Sequence, residues 1–328
     1  MPGPISRRML GASALAALMA RPVLAQGAGD YPNRPVRVLI GFPPGGGVDI
    51  VGRIVMPRLS ERLGQPVLVE NRAGANGNIA MEAVVRAAPD GYTLFYGNVG
   101  NLAVTNALYP SLTFDTVRDF SPIGQTMESS LVIAVADAVP ARTLAELIAF
   151  ARANPGQLNG GSAGAGGPSH LALEGFKRAI GAEIVHVPYR GSAPAVQDMA
   201  GGRIQIIIDG YSLMRAVVES GRARVLAVTA AERQTILPDV PTTTEAGLPG
   251  FEAGSWHGLV APAGTPAPII ARLEAALGAV MREPEIAQAL AQQGVVPRWR
   301  DAAAFGRYVA EERTRWTVVV REAGIRLE

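Results

Sequence analysis

The sequence has no cysteine and only one lysine, Lys177. Without cysteine the protein cannot form a disulfide, hold an iron–sulfur cluster through thiolates or use a thiol nucleophile. The lack of cysteine does not exclude an oxidising compartment, because a large hydrophobic core needs no covalent cross-link. Lysine and arginine form no run of five or more, and the formal net charge is only +2, so we expect no nucleic-acid partner.

Histidine and aromatic residues are also scarce. The three histidines lack the H-x-x-x-H and H-E-x-x-H spacings of zinc sites, so the sequence predicts no metal ion. With 48% hydrophobic residues the chain is too apolar for intrinsic disorder, and its 38 glycines and 25 prolines follow no collagen-like period. The 328 residues suffice for about two domains of roughly 150 residues each.

The first 25 residues have the features of a secretory signal peptide. Arg7 and Arg8 precede an apolar stretch from Met9 to Ala20, which is shorter than the roughly 20 residues that cross a bilayer. Val23 and Ala25 supply the small residues of a cleavage site. We therefore expect cleavage after Ala25 and a mature protein in the periplasm.

Two export routes fit the signal peptide. Ser6-Arg7-Arg8-Met9-Leu10 resembles the twin-arginine signal, and an ordinary Sec signal with two arginines is the alternative. Removal of residues 1–25 takes away three arginines and no acid, which leaves 27 basic and 28 acidic residues. No later segment has 18 consecutive apolar residues, so no transmembrane helix is predicted in the mature chain.

From residue 36 the chain alternates strand-like and helix-like segments. Apolar residues at 48, 51, 55, 59 and 63 fall on one helix face, between short apolar runs at 36–40 and 67–69. A second helix to residue 87 and a strand at 93–96 complete a βαβαβ pattern. This pattern predicts an α/β domain with a mostly parallel sheet.

The alternation starts again at residue 131. Strands at 131–135, 184–187, 204–209 and 225–228 are separated by helices, and a strand at 255–261 precedes three C-terminal helices. We predict an α/β fold of two lobes with a ligand cleft between them. Residues 26–128 with 253–328 form lobe 1, and residues 129–252 form lobe 2. Two chain crossings between the lobes suit a hinge that closes on a ligand.

A Gly-rich turn, Phe42-Pro43-Pro44-Gly45-Gly46-Gly47, joins the first strand to the first helix. Glycine lets a ligand approach the backbone, and the helix N-terminus adds free N–H groups and a positive dipole end. Such a turn can hold a carboxylate or phosphate without a charged side chain; a turn that only packs is the alternative. The turn matches neither the Walker A motif nor G-x-G-x-x-G, so no nucleotide cofactor is predicted.

A second turn of this kind, Ser162 to Ser169, precedes a helix of lobe 2. Open α/β sheets bind ligands at the carboxyl ends of their strands, so we expect the two turns to face each other across the cleft. A carboxylate ligand can then be held by both lobes.

The same segment allows a different interpretation. Gly160-Gly161-Ser162-Ala163-Gly164 matches the G-x-S-x-G motif of serine hydrolases, and Asp198 or Asp209 and then His257 follow in the hydrolase order. Glycine or proline at 164 and 166–168 argues against it, because a hydrolase helix begins directly after its nucleophile. A secreted hydrolase that uses Ser162 is the alternative to a binding protein.

Five side chains outside the two glycine clusters are further candidates. His170 at a helix start and Arg190 in a loop can donate hydrogen bonds to an anion. Asp209 ends an apolar strand at the cleft edge, and Trp256 with His257 can form a cleft wall. The alternatives are a solvated position for His170 and Arg190, a helix cap at Asp209, and core packing for the last two.

Motifs spread over the mature chain resemble one protein family. They are Tyr31-Pro32-Asn33-Arg34-Pro35-Val36-Arg37, Phe42-Pro43-Pro44-Gly45-Gly46-Gly47, Val69-Glu70-Asn71-Arg72-Ala73-Gly74-Ala75-Asn76-Gly77, Ala88-Pro89-Asp90-Gly91-Tyr92-Thr93-Leu94, His186-Val187-Pro188-Tyr189-Arg190-Gly191 and Leu237-Pro238-Asp239-Val240-Pro241-Thr242. In this order the chain, from Tyr31 to about Gly324, resembles the periplasmic substrate-binding receptors of tripartite tricarboxylate transporters, the Bug receptors.

The resemblance implies a type II periplasmic-binding-protein fold and a small carboxylated ligand: a dicarboxylate, a tricarboxylate, an acidic amino acid or an aromatic acid. It implies that residues 42–49 and 162–169 grip a carboxylate with backbone amides and bridging waters. It also implies a membrane permease as partner; we expect a monomer without a cofactor. A sensor module that presents the ligand to a signalling partner is a further alternative.

The candidate binding residues are Phe42, Pro43, Gly45, Gly46, Gly47, Val48, Asp49, Asn76, Asn98, Ser162, Ala163, Gly164, Gly166, Ser169, His170, Arg190, Asp209, Trp256 and His257. Two positions depart from the pattern of the resembled family. Val48 stands where Thr or Ser is common, and His257 follows Trp256 where Phe or Tyr is common. Val48 removes a hydroxyl donor and indicates less polar surroundings, so the ligand of another member does not transfer to this chain.

Overall fold

The computed structural model describes residues 31–322 and is an α/β fold of two sheets with packed helices. The strands are β1 (Val36–Ile40), β2 (Val67–Asn71), β3 (Thr93–Asn98), β4 (Phe120–Ser130), β5 (Val132–Ala136), β6 (Asn159–Ser162), β7 (Val185–Pro188), β8 (Ile206–Asp209), β9 (Ala223–Val228), β10 (Gly254–Pro262) and β11 (Val296–Arg300). The signal peptide, its cleavage site and its twin arginines lie outside the described residues.

The helices alternate with these strands. They are α1 (Gly47–Leu63), α2 (Asn78–Val85), α3 (Thr105–Leu108), α4 (Leu144–Ala153), α5 (Pro168–Ile180), α6 (Ser192–Ala200), α7 (Tyr211–Glu219), α8 (Ala267–Met281), α9 (Pro284–Ala291) and α10 (Ala302–Glu322). A 3-10 turn covers Ala75–Gly77, and a π-helical turn covers Gly100–Val104.

The six-stranded sheet has the order β11-β4-β10-β3-β1-β2, and we call this sheet with its helices the first lobe. Helix α1 covers one of its faces with the predicted stripe, since Val48, Val51, Val55, Leu59 and Leu63 are all buried. The helix ends where Gly64 adopts a left-handed conformation. The periodicity therefore predicted this helix correctly, and the helix directs its N-terminus to the carboxyl end of β1.

The five-stranded sheet has the order β7-β6-β8-β5-β9, and with helices α4 to α7 it forms the second lobe. Its buried core runs from Leu131 to Phe251. Thr143 caps α4: its hydroxyl accepts from the Glu146 N–H, and the Glu146 carboxylate accepts from the Thr143 N–H.

Both sheets are mixed, so the predicted mostly parallel sheet is wrong. Strand β1 is parallel to β2 and β3, but β10 is antiparallel to β3 and β4, and β11 is antiparallel to β4. In the second sheet β6 is parallel to its neighbours β7 and β8, whereas β5 is antiparallel to β8 and β9. Every antiparallel pair includes at least one of the strands β4, β5, β9 and β10, which lie on either side of the two crossings between the sheets.

In the described residues the chain crosses between the two sheets twice, after β4 and after β9. Strand β4 ends at Ser130 in the first sheet, and β5 begins at Val132 in the second. The chain returns between β9 and β10. In the part of the chain that the structure describes, no helix is both long and apolar enough to cross a membrane.

Candidate ligand-binding cleft

A cleft that is open to solvent separates the two lobes. Its first-lobe wall comes from the turn before α1, the carboxyl end of β3 and the start of β10. Its second-lobe wall comes from the segments that follow β6, β7 and β8. The predicted Gly-rich turns therefore lie on one shared cleft.

The turn before α1 presents backbone to this cleft. Gly46, in an extended conformation, precedes the helix, and Gly47 and Val48 form its first turn; all three line the cleft. Backbone N–H groups in a first helical turn have no acceptor within the helix. The N-terminus of a 17-residue helix thus offers hydrogen-bond donors and a positive dipole end to an anion.

Asp49 holds this turn from behind and does not line the cleft. Its buried carboxylate accepts from the Gly45 N–H, from Arg53 Nε and from Asn71 Nδ2, each at 2.9 Å. Burial raises the pKa of Asp49, but the hydrogen bonds from Arg53, Gly45 and Asn71 outweigh it and leave the pKa lowered. Asp49, predicted as a binding residue, instead fixes the conformation of the turn as an anion.

The turn before α5 is built in the same manner. Ser169 lines the cleft, and its hydroxyl accepts the Ala163 N–H at 3.0 Å, which closes the turn on itself. Gly167 precedes α5, whose first helical residue is Pro168. Pro168 has no backbone N–H, and no intrahelical hydrogen bond is lost by this, because the first helical residue has no acceptor within the helix. A second helix N-terminus therefore points into the cleft from the opposite lobe.

Ser162 lies beneath this turn. Its side chain is fully buried, its hydroxyl donates to the Gly164 carbonyl at 3.2 Å, and its Oγ lies 2.7 Å from His186 Nε2. His257, the base of the hydrolase interpretation, belongs to β10 of the first sheet and makes no hydrogen bond with Ser162. Asp198 is bonded to Tyr189 and Arg203. The predicted Ser–Asp–His constellation is not assembled.

His170 is also a structural residue of the second lobe. Its Nδ1 accepts the Gly166 N–H at 2.9 Å, and its ring stacks on His186 with 3.8 Å between centroids. Burial and the nearby Lys177 charge lower the pKa of His170 to about 4. His170 lines neither the cleft nor the neighbouring cavity, and its Nε2 lies 3.8 Å from a Glu174 carboxylate oxygen, so the structure does not place it to donate to an anion as predicted.

Asn76 joins the two lobes beside the cleft. Its Nδ2 donates to the Gly100 carbonyl of the first lobe and to the Gly166 carbonyl of the second, each at 3.3 Å. Asn101 supports it by donating to the Asn76 carbonyl at 2.9 Å. Asn76 and Gly164 line a second cavity next to the cleft, which is also open to solvent.

Two charged side chains line the cleft. Arg190 is exposed and follows β7, and it also borders the second cavity. Asp209 ends β8, where its carboxylate accepts from Ser192 Oγ and from the Gly210 N–H, both at 2.8 Å. Burial raises the pKa of Asp209. The cation and the carboxylate flank the β6 turn on opposite sides, since the strand order is β7-β6-β8.

Strand β10 sends alternate residues to opposite faces. Ser255 and His257 line the cleft, whereas Trp256 packs on Phe305 and donates from Nε1 to Glu312. Successive side chains of a strand point to opposite faces, so Trp256 and His257 cannot both form the wall. Trp256 is therefore corrected to a core residue.

The structure divides the predicted residues into two sets. On the cleft wall lie Phe42, Pro43, Gly46, Gly47, Val48, Asn98, Ala163, Ser169, Arg190, Asp209 and His257. Behind the wall or in the second cavity lie Gly45, Asp49, Asn76, Ser162, Gly164, Gly166, His170 and Trp256.

Sequence reasoning missed several wall residues. Ser255 and Ser192 are polar, and Met127, Leu131 and Leu213 are apolar. The alternation along β10 is a signal for one of them, because a strand that presents His257 also presents Ser255. Within residues 31–322, no three histidine, aspartate or glutamate side chains gather where they could hold a metal ion.

A sequence model described as "Tripartite tricarboxylate transporter family receptor" matches residues 51–325. Among curated proteins, the chain is 37% identical over 321 residues to a protein from the tcbD–tcbE intergenic region of Pseudomonas sp. strain P51, covering 97% of this chain and 95% of the relative.

Solved structures are similar over most of the chain. Rpa4515 of Rhodopseudomonas palustris with adipate has a TM-score of 0.87 and 36% identity, covering 91% of this chain and all of the other. MatC of the same species with bound malate has a TM-score of 0.83 and 33% identity, covering 88% and 100%. The periplasmic binding protein BugD has a TM-score of 0.84 and 31% identity, covering 90% and 100%.

Proposed function

Since the chain belongs to the tripartite tricarboxylate transporter receptor family of periplasmic solute-binding proteins, we propose that it binds a small carboxylate and delivers it to a membrane permease of that transporter type. One observation carries the proposal. Two helices from different lobes, α1 and α5, direct their N-termini into the same cleft. This arrangement can hold an anion between the lobes.

The relatives support a carboxylate as the ligand class. Adipate is bound to one similar structure and malate to another, and both are dicarboxylates. In this chain the donors are backbone groups of Gly47 and Val48 on one side and of Ser169 on the other, with Arg190 at the edge. A ligand carboxylate would close the gap between the lobes and favour the closed form.

Export and lobe motion belong to the same proposal. Residues 1–25 direct the chain to the periplasm, where cleavage after Ala25 releases the receptor. Residues 26–128 with 253–328 and residues 129–252 move as two bodies about the crossings near 130 and 253. The mass of the protein recovered from the periplasm tests the cleavage, and a change of radius of gyration with ligand tests the motion.

A panel of mono-, di-, tri- and aromatic carboxylates tests the binding function. A ligand at about 100 times its Kd stabilises the native state by about 2.7 kcal/mol, which raises the Tm measurably. Binding of at least one carboxylate by thermal shift and by calorimetry is the expected result. Failure of every carboxylate in the panel would contradict the proposal.

Gly46 locates the site within the cleft. A Cβ at this position meets only the Pro43 carbonyl oxygen, at 3.4 Å, so a side chain is tolerated there. Gly46→Asp puts a negative charge where the ligand carboxylate approaches, and we expect binding to be lost. Gly46→Asn has nearly the same shape without the charge, and its affinity should fall far less. Equal affinities of the two variants would refute the placement of the carboxylate.

A further inference from the structure

At the end of the cleft remote from Arg190, the described part of the wall carries polar groups and no positively charged side chain. Among the described residues that line the cleft, Arg190 and Asp209 alone carry a formal charge, and they flank the β6 turn on opposite sides. The ligand carboxylate at the turns therefore has a cation on the β7 side. Beyond it, on the β8 side, the wall offers a carboxylate and no cation.

Two buried polar atoms near Asp209 lack a partner; Asp209 pairs with Val132 at the start of β5, and Ser255 pairs with Ser129 at the end of β4. Ser255 Oγ and His257 Nδ1 make no hydrogen bond within residues 31–322, although the two residues are only 8% and 4% exposed. Both residues line the cleft from the same face of β10. Buried polar atoms of native proteins nearly always have a partner, so this pair indicates a group that the ligand supplies.

The pair is separated from the turn before α1 by a defined distance. Strand β10 is the neighbour of β3, and β3 is the neighbour of β1, which leads into the turn. Two strand intervals amount to roughly 10 Å between strand axes. A ligand of about six carbon atoms, together with the reach of the side chains at both ends, spans this interval.

The chemistry of the pair favours an uncharged group. His257 is buried against the edge of Tyr96, and burial lowers the pKa of His257 to about 3, so the ring is neutral at ordinary pH. A neutral imidazole has one N–H donor and one acceptor nitrogen, and a serine hydroxyl can do either. Neither side chain attracts a carboxylate by charge.

Asp209 opposes a second ligand carboxylate. Its carboxyl group lies on the same cleft, where burial raises its pKa and two neutral donors, Ser192 and Gly210, are its hydrogen-bond partners. Two carboxylates that share a weakly solvated site repel each other, and one of them must take up a proton. A dicarboxylate would meet this cost at the far end of the cleft, whereas a hydroxyl or carbonyl group would not.

Building on the proposed function, we propose that Ser255 and His257 form a second subsite that reads an uncharged hydrogen-bonding group, so that the ligand is a monocarboxylate with a hydroxyl or carbonyl at its opposite end. Its apolar body lies between the ends, against Val48, Val51 and Met127. Val48 suits such a body, since its side chain presents two methyl groups and no hydroxyl to the cleft.

The experiment compares ligands that differ only at the far end. Hexanoate, 6-hydroxyhexanoate and adipate form one such set, and benzoate, 4-hydroxybenzoate and terephthalate form a second; the aliphatic set is extended from four to eight carbons. Calorimetry on the full mature chain should find the hydroxy acid of at least one set tightest. A hydrogen bond at the far end corresponds to a gain of about two- to tenfold over the plain acid.

Three variants assign the effect to residues. Ser255→Ala and His257→Phe should bring the hydroxy acid down to the affinity of the plain acid, while the plain acid itself changes little. Phe keeps the aromatic packing against Tyr96. Asp209→Asn should raise the affinity for the dicarboxylate. Ser220→Ala, on the surface at the end of α7, is the matched control and should change no affinity.

The outcomes separate this inference from the proposed function. If a dicarboxylate binds tightest in every set, or the hydroxy acid binds no better than the plain acid, the subsite is refuted while the carboxylate receptor stands. The same holds if another carboxylate binds and no member of these sets does. If no carboxylate of any kind binds, both the receptor function and the subsite fall.

Discussion

At the scale of single residues, Asp49 holds the turn before α1 in its observed conformation. Its buried carboxylate is the shared acceptor for Gly45, Arg53 and Asn71. We expect Asp49→Asn to lower the free energy of unfolding by about 1.5–3 kcal/mol, because hydrogen bonds to a charged acceptor are lost. Urea denaturation measures this, and calorimetry should show weaker carboxylate binding in the same variant.

Glu70 supplies the matched control. Its carboxylate is likewise a shared acceptor, of hydrogen bonds from Arg37 and Arg72, but its side chain is 38% exposed. Glu70→Gln should change the free energy of unfolding by at most about 1 kcal/mol, since exposed ion pairs contribute little. An equal loss in both variants would mean that charge removal alone, and not the support of the turn, explains the result for Asp49.

At the scale of elements, an ion pair attaches the C-terminal helix to the first lobe. Asp115, which precedes β4, accepts from Arg313 of α10 at 2.7 Å. Burial raises the pKa of Asp115, but hydrogen bonds from Arg313 and from the N–H groups of Arg118 and Val117 outweigh it and bring the pKa to about 2. The folded-state pKa is therefore below the value of about 3.9 expected for the unfolded chain.

This lowered pKa predicts a pH dependence of stability. The ionised carboxylate stabilises the folded state fully above about pH 5, and the contribution disappears as the pH falls from about 4 through about 2. The difference in unfolding free energy between wild type and Asp115→Asn should be constant near neutrality and shrink in this acid range. Urea titrations at several pH values measure it, and Arg313→Met should flatten the profile in the same way. A difference that is independent of pH would contradict the assignment.

Elements with a repeating apolar pattern could be predicted from the sequence, and elements without one could not. Helix α1 follows from five apolar positions on one face. Strand β4 was not predicted, because Pro122, Gly124 and Glu128 interrupt the alternation of apolar and polar residues. Its partners β10 and β11 lie more than a hundred residues away in the sequence. Long-range pairing leaves no local signal in such a segment.

The candidate site was predictable to the same extent. Glycine before a helix indicates a backbone anion site, so Gly46, Gly47 and Ser169 were found. The unpartnered state of Ser255 is a property of packing, and no local pattern encodes it. His170 was placed wrongly because a histidine in a first helical turn can equally accept a hydrogen bond from the preceding turn, as it does from Gly166.

At the scale of the whole molecule, Asn76 links the two lobes beside the cleft. Asn76→Gly removes the amide that reaches Gly166, and it keeps the backbone conformation, since φ of Asn76 is +53° and glycine adopts positive φ without strain. We expect about a two- to tenfold loss of carboxylate affinity, because one hydrogen bond that joins the two lobes is lost. Calorimetry measures the affinity, and small-angle scattering should show a larger radius of gyration at equal ligand saturation.

A control isolates this link from general effects of asparagine loss. Asn154, the residue that follows α4, donates to the Phe150 carbonyl of that helix, and both residues belong to the second lobe. Asn154→Gly should alter thermal stability without changing carboxylate affinity. Unchanged affinity in Asn76→Gly would show that the lobes close without this contact.

The strand order also fixes when each half of the protein can fold during synthesis. All strands of the second lobe lie between residues 132 and 228, so this lobe is complete before the ribosome reaches β10. Strand β4 pairs only with β10 and β11, so it leaves the ribosome more than a hundred residues ahead of both its partners. Domains tend to fold as units in the order of synthesis. The middle of the chain therefore folds first, and the half that contains the N-terminus waits for the last seventy residues.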